Sequence, residues 1–158
     1  MPGPRQTFIV GDFSTIEVVV LFWAAEHRRG LQALEDGQPI YLDMASKIYK
    51  EPLQHLVKSY AEGDAGTVKK RQLGKATVLG SGFGIGVGGE RFQAAAKTLA
   101  GLDISNDTAQ LCVRTYRDDN PEIVRYWKDI EQCAKQAVRN PGVKVTMKQR
   151  RLVWQTIG

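Results

Sequence analysis

Two runs hold the residue types with most chemistry in this chain: Asp12-Phe13-Ser14-Thr15-Ile16-Glu17 and, some sixty residues on, Arg71-x3-Lys75-x7-Phe83-Gly84. The stretch Phe8-Ile9-Val10 reads as a strand. A strand that ends on an aspartate presents its carboxylate at a sheet edge, where oxygen ligands suit a hard ion such as Mg²⁺. Arg71 and Lys75 stand four apart, and four steps of about 100° nearly close a helical turn, so both cations fall on one face. That face continues through Leu79 to Phe83. Two cations followed by two large apolar side chains suit a triphosphate at one end and a ribose and base at the other. A metal carboxylate together with a triphosphate site points to nucleotidyl transfer.

The elements that must position these residues follow from periodicity and end signals. A strand over residues 7–12 leads into a helix capped by Ser14 or Thr15 and running to about Arg29, with Val19, Leu21, Phe22 and Trp23 on its apolar side. Residues 32–39 read as a turn region and residues 41–50 as a helix, followed by an open polar connection rich in Glu, Gly and Asp. The basic helix covers 67–82, and another covers 90–100 beyond the glycines. Ser105 starts a helix to about Tyr116. Asn120 and Pro121 open the last, to Arg139, with Ile123, Trp127, Ile130 and Ala134 at helical spacing. Residues 143–147 and 152–154 are short strand candidates. The expected fold class is α+β, mostly helical, with a small antiparallel sheet whose edge carries Asp12.

A chain of 158 residues, 42% of them hydrophobic, builds one modest core. Its net charge of +5 favours a polyanionic partner, although a mildly basic surface is also simply a soluble one. Cys112 and Cys133 lie far apart without Cys-x-x-Cys spacing, which argues against a disulfide framework or a zinc site and for reduced core residues in a cytoplasmic protein. The apolar run Val18 to Ala25 is far too short to span a bilayer, so no membrane partner is expected.

With both runs in their order, the chain resembles family A DNA polymerases, and phage-type members most of all. The palm of that family carries a motif like Asp12-Phe-Ser-x-Ile-Glu17, and its fingers helix carries one like Arg71-x3-Lys75-x7-Phe83-Gly84. Ile40-Tyr41 with Ala45-Ser46-Lys47-Ile48-Tyr49, then Arg71-Gln72-x-Gly74-Lys75, then Asn120-Pro121-Glu122-Ile123-Val124-Arg125-Tyr126-Trp127 lie in family order. The likeness covers about residues 7–140.

The resemblance implies a partial palm over residues 1–60, fingers over 61–118, and a long helix returning toward the palm with short strands over 119–158. It implies primer-template DNA and deoxynucleoside triphosphates as partners and two Mg²⁺ ions as cofactors. Asp12 would bridge both ions, with the backbone carbonyl of Phe13 as a further ligand. Arg71 and Lys75 would bind the triphosphate, Lys75 would also be placed to protonate the leaving pyrophosphate, and Leu79 and Phe83 would line the nucleotide. Glu17 would crowd a ribose 2′-hydroxyl. Many relatives have tyrosine where Phe83 stands, and Phe83 cannot hydrogen-bond this glutamate.

Each residue also has a plainer reading. Asp12 serves equally as a helix cap, Glu17 as a first-turn answer to the helix dipole, and Arg71 with Lys75 as a solvated face on which Lys69 and Lys70 are also exposed or touch template. Gly84-Ile85-Gly86-Val87-Gly88-Gly89 matches G-x-G-x-x-G, a dinucleotide loop if Ala76 to Leu79 were a strand. The other reading of the run is a flexible end to the fingers helix. His27 and His55 are expected on surfaces, Asp118-Asp119 in a solvated loop, and Arg125, Lys128, Lys135 and Arg139 on a basic helix side.

The family also needs a second palm carboxylate downstream of the fingers and a thumb before the palm, and neither is legible here. The chain is therefore expected to be a fragment that is inactive or nearly so alone, completed by those remaining domains in a DNA polymerase of the host cytoplasm. The rival from another class is a non-catalytic nucleic-acid- or nucleotide-binding domain with the same fold.

Overall fold

The computed structural model describes residues 11, 13–82, 84, 88–147 and 153–156. Eight helices and one strand pair follow in order: α1 (Ile16–Ala24), α2 (Arg28–Glu35), α3 (Ile40–Tyr49), α4 (Leu53–Ala61), α5 (Ala65–Gly82), α6 (Gly89–Ala100), α7 (Asn106–Asp119), α8 (Pro121–Arg139), β1 (Val145–Thr146) and β2 (Val153–Trp154). The class is α+β and mostly helical, with a two-stranded antiparallel sheet in which Val145 faces Trp154 and Thr146 faces Val153. Of the strand expected over residues 7–12 only Gly11 is among the described residues, and it is in no strand.

Several boundaries follow from local chemistry. The Asp64 carboxylate accepts the Thr67 amide N–H at 2.6 Å and so caps α5. That hydrogen bond holds the Asp64 carboxyl below its ordinary pKa. Ser105 caps α7 by accepting the Thr108 N–H at 3.1 Å. Gly101 ends α6 at φ 64°, a left-handed conformation that a residue without Cβ adopts cheaply. Asn120 caps nothing with its side chain: its Nδ2 donates back to the Tyr116 carbonyl at 2.8 Å and closes α7 instead.

The first helix departs from its expected span. It stops at Ala24, and a new helix starts at Arg28, because His27 turns its ring inward and accepts the Gly30 N–H on Nδ1 at 2.8 Å. His27 is thus buried against Phe22, at 4.7 Å between ring centroids, rather than on the surface. The apolar side of α1 is also corrected. Val18, Leu21 and Phe22 are buried, while Val19 and Trp23 are exposed. The turn region shrinks to the few residues after Glu35, and the open connection contains α4, held by the fully buried Leu56 against Leu42 and Ala45.

One core joins most elements, with Val18 and Phe22 from α1, Met44 from α3, Leu73 and Val78 from α5, Phe92 from α6, Tyr116 from α7 and Ile123 from α8. The closest helix pairing is α3 on α5. A Cβ placed on Gly74 would stand 2.1 Å from the Tyr41 carbonyl oxygen and 3.1 Å from the Ala45 nitrogen. Cys112 is buried in this core, which pushes its thiol pKa up, and Cys133 is half-buried; both are free thiols. Among the described residues no helix is long and apolar enough to cross a membrane.

Candidate nucleotide-binding site

Helix α5 carries the second run, and its placement decides what that run can do. Its spacing puts Arg71, Lys75 and Leu79 along one side; Lys75 is exposed, while Arg71 and Leu79 are half-buried. The side chains of α3 and α4 complete the cationic end. The Arg71 guanidinium lies 5.1 Å from the Tyr60 ring centroid and 5.4 Å from that of Tyr41, and the Lys75 ammonium lies 5.9 Å from the Tyr41 ring. One tyrosine therefore serves both cations. Aromatic faces attract cations through the ring quadrupole without neutralising them, so the positive charge stays available to an anion. Lys70 differs: it is ion-paired to Glu51 and lies over the Tyr49 ring, so its charge is already answered, while Lys69 is exposed.

Beside the cations a cavity of about 360 Å³ opens between α5 and α6. Gln72, Lys75, Ala76, Leu79 and Gly80 line one wall, and Ala95, Ala96 and Ala100 the other. The small alanines make the room. A cavity of this size with apolar walls and one charge at its edge has the composition of a small-molecule site.

Helix α1, which begins within the first run, packs on the far end of α5. Leu21, one turn beyond Glu17, packs on Gly82, where an added Cβ would stand 2.9 Å from Leu21 Cδ2 and 3.0 Å from the Tyr116 hydroxyl. The Trp127 indole N–H donates to the Gly82 carbonyl at 3.2 Å, and Trp127 stacks on Tyr116. Glu17 itself is exposed. Asp12 and Phe83 lie outside the described residues, and the Phe13 side chain is 78% exposed. No group of three or more His, Cys, Asp or Glu side chains that could hold a metal ion occurs among the described residues.

The dinucleotide reading fails here, since residues 76–79 are helix and not strand. Two of the glycines have packing reasons: Gly80 faces Phe92, with 3.3 Å for an added Cβ, and Gly89 faces Gln110 at 2.4 Å. Asp118-Asp119 is likewise no solvated loop. Both end α7, and Asp119 takes the Lys47 ammonium at 2.8 Å and the Arg29 guanidinium at 3.2 Å. Lys47 also takes Asp43 at 2.6 Å. Burial pulls the Lys47 pKa down, but these hydrogen bonds outweigh it and hold it above its ordinary value. This knot ties α2, α3 and α7 together and so fixes the helix that carries Tyr41. Arg125, Lys128, Lys135 and Arg139 are exposed on α8, with Lys135 paired to Glu131 at 2.5 Å. His55 is exposed, 3.8 Å from Glu51.

Sequence reasoning quoted Tyr41 within a motif but gave it no role, and it missed Tyr60 and the alanine wall of α6 altogether. Contacts between separate helices leave no local signal.

The chain is similar to a protein described as DNA polymerase from Bacillus phage SP02, at 28% identity over 141 residues. The match takes in 88% of this chain but 20% of that protein, so the chain spans about a fifth of the length of the curated relative. It is thus related in sequence to a phage DNA polymerase. No family model and no solved structure matches it.

Proposed function

We propose that this chain is the nucleotide-holding part of a family A DNA polymerase, with α5 as the fingers helix. The observation that carries the reading is the pairing on one side of α5 of two cations, Arg71 and Lys75, with the cavity lined by Leu79. A triphosphate would lie along Arg71 and Lys75, held in place by the Tyr41 and Tyr60 rings beneath them. Its sugar and base would enter the apolar space by Leu79 and Gly80. Lys75, at the junction, touches both halves and would be placed to give a proton to pyrophosphate as it leaves. Glu17, on the helix that packs on the end of α5, is the sugar-selecting residue in this reading, and Phe83 is assigned to line the nucleotide. Asp12 and the Phe13 carbonyl are assigned to Mg²⁺ in the parent polymerase, where such an ion would neutralise charge on the phosphates. The parent's partners are primer-template DNA and deoxynucleoside triphosphates, and the parent's other domains are needed for turnover.

Titration of a fluorescent deoxynucleoside triphosphate into the chain tests this. Binding should be weak, fall as salt rises, and fall at least severalfold further in Lys75→Ala and Arg71→Ala. Equal affinity in wild type and Lys75→Ala removes the assignment.

A further inference from the structure

Arg71 is held differently from the cations beside it. Lys70 is ion-paired to Glu51, and Lys75 stands over one ring, that of Tyr41. Arg71 pairs with no carboxylate among the described residues and lies instead against two rings from two helices, Tyr41 of α3 at 5.4 Å and Tyr60 of α4 at 5.1 Å. Tyr60 is the nearer, and among the described cations it meets Arg71 alone. Its place is set by local backbone. Tyr60 sits in the last turn of α4, and Gly63, at φ 79°, turns the chain at once toward α5. The Gly63 N–H donates to the Tyr60 carbonyl at 3.1 Å and the Asp64 N–H to the Ser59 carbonyl at 3.0 Å, which closes the end of α4. Asp64 then caps α5 through Thr67, one turn before Arg71. The ring and the guanidinium are therefore joined through a short hydrogen-bonded turn.

We propose that Tyr60 is a positioning residue that, by holding Arg71, sets the preference of the site for nucleoside triphosphates over diphosphates. The proposal rests on the nucleotide-holding reading above. Lys75 stands at the edge of the cavity, and Arg71 lies one helical turn farther from it, about 6 Å along α5. A nucleotide with its sugar by Leu79 therefore brings its inner phosphates to Lys75 and only its outermost phosphate to Arg71. A diphosphate ends short of it. An arginine that is free in water loses rotamer freedom when it grips a phosphate, whereas one already held against two rings loses less. Its planar fork of donors stays fully charged and suits two-point contact with phosphate oxygens. The gain from Tyr60 falls on the outermost phosphate, because its ring supports Arg71 and not Lys75. Tyr41 differs, since it serves both cations.

The test titrates a fluorescent deoxynucleoside triphosphate, and the diphosphate of the same nucleoside, into wild type, Tyr60→Leu, Tyr60→Phe and Arg71→Ala. Wild type should bind the triphosphate severalfold more tightly than the diphosphate. Tyr60→Leu should weaken triphosphate binding about two- to fivefold and leave diphosphate binding unchanged, while Tyr60→Phe, which keeps the ring, should behave as wild type. Tyr41→Leu should weaken both ligands. Arg71→Ala should itself remove the preference, and adding Tyr60→Leu to it should change nothing further, since the ring acts through the guanidinium. Equal losses for both ligands in Tyr60→Leu would make the ring a general support and overturn the assignment. So would a loss in Tyr60→Phe as large as in Tyr60→Leu, which would place the effect on the hydroxyl, or additive losses in the Arg71→Ala background. Binding that depends on Lys75, with the triphosphate preference unaltered in Tyr60→Leu, leaves the function standing and removes the role of Tyr60. Inorganic tripolyphosphate and pyrophosphate, which carry no sugar or base, test the reverse. A preference for tripolyphosphate that falls in Tyr60→Leu, in a chain that binds no nucleotide, keeps the role of Tyr60 in reading phosphate-chain length and removes the nucleotide reading.

Discussion

Replacing Gly74 by alanine should loosen the pairing of α3 with α5 and, with it, the site. In an unobstructed helix interior the change would stabilise by up to about 1 kcal/mol, since alanine loses less backbone freedom than glycine. Here the new Cβ would stand 2.1 Å from the Tyr41 carbonyl oxygen, where ordinary contact is 3.4–4 Å. Its obstacle is backbone, which cannot swing aside, so the two helices must part by more than about 1 Å. Overpacking of this kind costs about 1–3 kcal/mol, with the upper end expected where backbone blocks backbone. A gap of that size also forfeits a quarter to a half of each dispersion contact across the seam. The clash therefore wins, for a net loss of roughly 2 kcal/mol. For a chain of this length that is a drop of roughly 4–8 °C in midpoint. The same parting draws Tyr41 from beneath Arg71 and Lys75, so triphosphate affinity should fall together with stability. Calorimetry and nucleotide titration on the one variant check both. A midpoint equal to or above wild type would refute the reasoning, because it would mean that the propensity gain exceeds the clash.

Tyr41→Leu removes a ring face worth about 0.5–1 kcal/mol to a nearby cation and should weaken triphosphate binding about two- to fivefold; tighter binding by titration would instead show that the ring sequesters the cations. Leu56→Ala empties the small core under α4 and should cost about 2–4 kcal/mol in denaturant unfolding, with nucleotide affinity little changed; a loss under 1 kcal/mol would mean that α4 is not held by this residue. Burial lowers the His27 pKa below 6.5, and the nearby Glu122 only partly offsets this. The unfolded chain then takes the proton first as pH falls, so His27 contributes stability that is present above pH 6.5 and lost below it, at no more than about 1.4 kcal/mol per pH unit. His27→Asn can still accept the Gly30 N–H, and its stability should fall less than wild type between pH 7.5 and 5.5; parallel curves from urea unfolding would exclude His27 as the source.

The helices with strong end signals were legible in sequence. Ser105 and Pro121 act locally, so their consequences do not depend on the rest of the fold, whereas the Asp64 cap and the Gly101 stop went unread. The break between α1 and α2 was not legible, because no Pro or Gly marks it. It comes from a buried histidine ring bonded to the Gly30 N–H, a tertiary event. Helix α4 was also hidden, since one buried leucine in nine residues gives no periodicity. In the candidate site, Arg71 and Lys75 could be paired from spacing alone, as could Leu79 with them. The partners could not: Tyr41 and Tyr60 reach Arg71 from other helices, and the Ala95 to Ala100 wall is defined by the space it leaves. The glycines misled for a related reason. Gly89 matches a loop motif in type, but its absent Cβ makes room for Gln110.

The end of α5 at Gly82 has a mechanical meaning. Leu21, Tyr116 and Trp127, from three different helices, close on that one residue, which makes it the natural fulcrum of α5. At about 1.5 Å per residue, Arg71 lies roughly 16 Å from it and Leu79 roughly 4.5 Å. A rigid tilt of about 10° would therefore sweep Arg71 through roughly 3 Å and shift Leu79 by less than about 1 Å. Because α3 is packed on α5 at Gly74 and also tied to α7 through Lys47 and Asp119, such a tilt would strain one of these two seams. Leverage of this kind would move the Arg71 end of α5 while the Leu79 end stays nearly still.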